Sequence, residues 1–88
     1  MAETTALLAF PCSFPIKVMG RRHEALGATM LEIVARHAGG AAKVAVAERA
    51  SENGNFSSFT FTIQAESQAQ VDAIYRELTA HPLVMMAL

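Results

Sequence analysis

A chain of 88 residues, 52% of them hydrophobic and 17% charged, has material for one compact core and too little charge to stay disordered. Its net charge of −1 excludes a strong non-specific attraction to nucleic acid or anionic lipid, and its lone cysteine, Cys12, excludes an internal disulfide framework and cannot alone build a structural zinc site. The start has no positive residue ahead of its short apolar run, and no apolar stretch approaches the ~20 residues that span a bilayer, so the expectation is a cytoplasmic protein in a reducing compartment.

Residues 1–9 carry no period and read as a flexible tail, with a single domain over 10–88. From Phe14 the pattern alternates. Phe14, Ile16 and Val18 point one way and Pro15, Lys17 and Met19 the other, which predicts a half-buried strand closed by Gly20. Pro11 and Pro15 lack amide donors and place the beginning of this strand at a frayed or unpaired side. Residues 22–38 follow as a helix, because Leu26, Met30, Ile33, Val34 and His37 or Ala38 recur at steps of three and four and form one stripe. Gly27 costs that helix about 1 kcal/mol relative to Ala and is expected to permit a close approach to the sheet. Arg36 and His37 suit the negative end of the helix dipole, and Gly39 and Gly40 supply a left-handed stop.

"KVAVAERA" at 43–50 and "FSSFTFTIQA" at 56–65 read as two strands joined by "SENGN", in which Asn53-Gly54 is a hairpin signal. The second strand puts Phe59, Phe61, Ile63 and Ala65 on one face and Ser58, Thr60, Thr62 and Gln64 on the other. Ser67 followed by Gln70 fits a capping box, and the helix after it turns Val71, Ile74, Tyr75 and Leu78 inward. His81-Pro82 ends it, since a residue before proline avoids helical geometry. Residues 83–88 are then expected as a last strand with Val84, Met86 and Leu88 on one face. This order, with right-handed crossovers, predicts an α+β ferredoxin-like βαββαβ fold with two helices on one face of a four-stranded antiparallel sheet, the first and third strands central.

Several stretches in order, "FP-x-x-F-x-x-KVMG" at 10–20, "RHA-x-G" at 36–40, "F-x-S-x-T-x-x-I-x-A" at 56–65 and "QV-x-x-IY-x-EL" at 70–78, resemble the YbeD-like family of small uncharacterised bacterial proteins. The resemblance covers residues 10–88. It implies a ferredoxin-like fold similar in shape to ACT-type regulatory domains, which bind small ligands such as amino acids.

No spacing of residues specifies a reaction. Cys12 has no neighbouring His or Asp to activate it as a nucleophile, and the three histidines lack the short spacing of zinc ligands, so no catalytic residue, metal or cofactor is assigned. RNA-recognition domains share this topology and stack bases on aromatics of the third strand, but Phe59 and Phe61 lie on the face that must meet the helices, and no nucleic-acid partner is expected. The one basic cluster, Lys17, Arg21, Arg22 and His23 with Gly20, stands at the turn into the first helix, where backbone N–H groups and the dipole suit a small anionic ligand. In ACT-type domains the corresponding loop is close to where ligands bind. On the sheet face left open by the helices, Met19, Leu83 and Met85 are the expected surface for a protein partner or a second copy. The resulting expectation is a non-catalytic regulatory or adaptor domain. A small cysteine-dependent enzyme and an RNA-binding module are the alternatives.

Overall fold

The computed structural model describes residues 9–50 and 54–88, so the expected tail over 1–8 and Asn53 of the hairpin signal lie outside the described residues. The elements are β1 (Cys12–Arg21), α1 (Leu26–Ala38), a short 3₁₀ turn (Ala41–Lys43), β2 (Ala45–Ala50), β3 (Phe56–Ala65), α2 (Gln68–Ala80) and β4 (Met86–Ala87). The sheet is antiparallel in the order β2-β3-β1-β4, with β1 and β3 central as the topology predicts.

Alternation along the two long strands sets the core. Ile16 and Val18 of β1 lie opposite Phe61 and Phe59 of β3, and all four are buried beneath the stripes of Leu26, Met30, Ile33 and Val34 from α1 and Val71, Ile74 and Leu78 from α2. Phe59 and Phe61 stack on each other, 5.9 Å between ring centroids. Their burial removes them from the surface on which an RNA base would have to stack.

At Gly27 α1 lies close against the sheet, for a Cβ there would stand 2.8 Å from the Phe59 ring. The helix ends as expected on Gly39, at φ 93°. At the start of α2, Ser67 accepts a bond from the Gln70 amide at 3.2 Å. The Gln70 side chain reaches one residue further back than the usual capping box. Its Oε1 accepts from the Glu66 amide at 2.6 Å while its Nε2 donates to the His37 carbonyl at 2.7 Å, which ties the start of one helix to the end of the other.

β2 starts at Ala45 rather than at residue 43, because Lys43 belongs to the 3₁₀ turn. Three further boundaries depart from expectation, each for a local reason. β1 does not stop at Gly20 but runs from Cys12 to Arg21, because β3 is long enough to pair every residue of it. Pro15 fits within it because the odd-numbered residues of β1 bond away from β3: Lys17 pairs with Leu88, and the Met19 carbonyl accepts from Met85. α1 starts at Leu26 rather than residue 22. The Arg22 amide still bonds to the Asn55 carbonyl across the sheet, and His23 then turns the chain by accepting the Ala25 amide on Nδ1 and the Leu26 amide on its carbonyl, each at 3.0 Å.

The third departure concerns the last strand. Residues 81–85 form a turn, in which the Leu83 amide bonds to His81 Nδ1 and the Val84 amide to the His81 carbonyl, both at 3.1 Å. Regular pairing starts only at Met86, with Met19 opposite Met86 and Val18 opposite Ala87. The side-chain phase is therefore opposite to the expected one. Ala87 shares the core side with Val18, Met86 shares the open side with Met19, and Leu83 and Val84 pack against the core.

Candidate functional site

Two helices cover one face of the sheet and nothing in the chain's described residues covers the other. β1 sends Lys17, Met19 and Arg21 to that open face, β3 sends Ser58, Thr60 and Thr62, β2 sends Ala47 and Arg49, and the last strand sends Met86. A groove of about 520 Å³ runs over the middle of it, lined among others by Lys17, Met19, Ala47, Arg49, Ser58, Thr60, Met86 and Leu88. Its apolar members are open to water, with Met19 at 41%, Met86 at 49% and Leu88 at 68% exposure.

The expected partner surface of Met19, Leu83 and Met85 is thereby corrected in two of its three members. Met19 stands in the groove. Leu83 packs against the core, and Met85, although exposed, does not line the groove, their places being taken by Met86 and Leu88. Arg49 was not among the expected residues. β2 is apolar on both faces apart from Glu48 and Arg49, so only its register, Arg49 against Ser58, assigns a side.

The basic cluster separates in space. Lys17 belongs to the open face, and Gly20 is buried, so close to the turn that a Cβ on it would meet the Leu83 carbonyl oxygen at 2.3 Å. Arg21, Arg22 and His23 remain together around a depression that Glu24, Gly54 and Asn55 also line. The expected helix N-terminus is not fully available to an anion there, because His23 already takes the amides of Ala25 and Leu26.

All three histidines have structural partners. His23 and His81 accept backbone amides, and His37 Nε2 lies 2.8 Å from Glu77 Oε1, whose other oxygen accepts from Arg36. Glu77 thus joins α2 to α1. The bond from His37 and then that from Arg36 hold its carboxyl below the ordinary value of 4.5. A carboxyl depressed in the folded state adds stability above its unfolded pKa and loses it as pH falls through the folded value. Glu77→Gln is therefore expected to lower the melting temperature slightly at neutral pH and to make no difference in strong acid, which thermal melts from pH 7 to pH 2 would check. A wild-type advantage that persisted undiminished at the acid end would place the effect elsewhere. Cys12 is half-buried at the start of β1 opposite Ala65, and among the described residues no three His, Cys, Asp or Glu side chains are grouped to hold a metal ion. Nor is any helix among them long and apolar enough to cross a membrane.

The fold matches the solution structure of protein HP0495 from H. pylori with a TM-score of 0.69, over 92% of this chain and 85% of that one, at 15% sequence identity. By sequence, the chain is 44% identical over 86 residues to a UPF0250 protein of Chromobacterium violaceum, covering 98% of this chain and 97% of the relative. A UPF0250 protein of Neisseria gonorrhoeae is 42% identical over 84 residues, 96% of this chain and 92% of the relative. The family described as "Protein of unknown function (DUF493)" matches residues 5–88. These agree with the YbeD-like resemblance, and the chain belongs to the DUF493 family of small bacterial proteins.

Proposed function

We propose that the protein is a non-catalytic binding domain, regulatory or adaptor in role, that works by docking a protein partner on its open sheet face. The supporting observation is the groove in which Met19, Met86 and Leu88 are exposed side by side, with Lys17 and Arg49 lining the same groove. Contiguous apolar side chains in water favour an interaction surface, and methionine's flexible, polarizable side chain adapts to a partner's shape. The structural engagement of all three histidines removes the obvious bases for a Cys12 nucleophile and weighs against the enzyme reading.

The double variant Met19→Glu/Met86→Glu is expected to keep the fold, since both side chains point away from the core, and to lose the proteins that the wild type captures from its own cell extract. Met85→Glu, equally exposed but outside the groove, is expected to keep them. Retention of the same partners by the double variant would remove the open face as the working surface. A second reading, a small anion held by Arg21, Arg22 and His23, is favoured by their shared depression. Inorganic phosphate at about millimolar concentration should then shift the amide signals of residues 21–24, and unmoved signals would leave the turn without that role.

A further inference from the structure

We infer that the open face receives an acidic segment of another protein, one that carries apolar residues alongside its carboxylates. The inference rests on the reading of that face as a docking surface and adds what docks there. The argument is one of charge. Lys17 and Arg49 line the groove of the open face, Arg21 has the same parity at the end of β1 but borders the depression it shares with Arg22, His23 and Glu24, and no acidic side chain from the described strands shares that face. Glu48 borders the groove, but its place opposite Phe59 turns its side chain to the helix side, where it lines a separate depression with Gly27. The other described carboxylates are on the turn before α1 (Glu24), within the helices (Glu32, Asp72, Glu77) or just before α2 (Glu66).

In a chain whose net charge is −1, the described strands thus put cationic and no acidic side chains on the open face, a separation that the overall charge conceals. The charge pattern selects among occupants. A second copy related by a two-fold axis would set the same cations against one another, and like charges across an interface disfavour the contact. A nucleic-acid strand would meet the charge, but it needs flat rings for its bases. The groove offers Met19 instead, with Met86 and Leu88 along its β4 edge, while Phe59 and Phe61 are buried behind it and Phe56, half-buried opposite Arg21, does not line it. A polypeptide with both carboxylates and apolar side chains matches both parts of the surface.

Thr60 pairs with Lys17 on one side and Ala47 on the other, so it stands at the middle of the face. A photoreactive benzoylphenylalanine at Thr60, with a second protein carrying it at exposed Asp72 on α2 as the control, would be irradiated in living cells of the source bacterium and the adducts sequenced by mass spectrometry. The expected adduct from position 60, absent from position 72, is a protein segment with an excess of Asp and Glu among apolar residues. Its yield should fall about tenfold in Lys17→Glu/Arg49→Glu and less in Lys17→Gln/Arg49→Gln, as opposition replaces attraction or only removes it. An adduct to a second copy, to RNA or to a segment without acidic excess would overturn this inference and leave the face as a docking surface. No adduct at position 60 would overturn both.

Discussion

Phe61→Ala is expected to cost about 3–5 kcal/mol, the usual loss when a buried aromatic ring is truncated, in a domain whose total stability is on the order of 5–15 kcal/mol. Phe61 is 0% exposed and lies where β1 and both helix stripes converge, so its removal leaves a hole that no single element can close. It also leaves Phe59 without the ring stacked on it. Chemical denaturation should show the midpoint shifted far down with little change of slope. An unshifted midpoint would mean that the buried face of β3 has been assigned to the wrong side. Thr60→Ala, one residue away on the open face, serves as the contrast, with an expected change within about 0.5 kcal/mol.

The burial of Phe61 was legible in the sequence because β3 alternates without interruption for its full length, and α1 and α2 show equally regular stripes. Where a period persists, each residue confirms the phase of the next. The last strand lacks that redundancy. Only Met86–Ala87 form a strand proper there, and the turn made by His81 takes up residues that look like strand by composition alone, so the phase could not be read from Leu83 onward. That single error of phase exchanged Leu83 and Met85 for Met86 and Leu88 in the candidate site.

Arg49 and the Arg36–Glu77–His37 link were hidden for a different reason. Each depends on how two elements distant in sequence are set beside each other, β2 on β3 in one case and α1 on α2 in the other. The pattern within either element records only its own inner face. A hint existed in the opposite charges of Arg36 and Glu77, since both flank a buried stripe, but many such pairs exist in any sequence. The break-up of the basic cluster follows from strand geometry that the sequence did announce. Gly20 has the opposite parity of β1 to Lys17, Met19 and Arg21, which turns it to the core, while Lys17 parts from Arg21 by distance along the extended strand, since Arg21 stands at the end of β1 beside Arg22 and His23.

Gly20→Ala is the substitution expected to separate the site from the core. A methyl at that position would lie 2.3 Å from the Leu83 carbonyl oxygen and 3.2 Å from both Leu26 methyl groups. The leucine can turn away, but the carbonyl belongs to the backbone of the turn that delivers β4, and it yields only if the turn moves. Forcing a methylene-sized group into such a space costs about 1–3 kcal/mol. Most of that cost should fall on the last segment, because β1 is held along its whole length by β3 whereas β4 is attached through few bonds, among them Lys17 to Leu88 at 2.9 Å, Leu88 to Lys17 at 2.7 Å and Met85 to Met19 at 2.8 Å. Hydrogen exchange resolves the two regions: the amides of Lys17, Met85 and Leu88 are expected to exchange much faster in the variant, while those of Phe59 and Phe61 are expected to speed up only in proportion to the lost global stability. Because Met86 and Leu88 travel with this segment, the same variant should weaken capture of partners on the open face while the β1–β3 core stays folded. Unchanged protection at Lys17 and Leu88 would show that the turn tolerates the methyl and that Gly20 does not hold β4 in place.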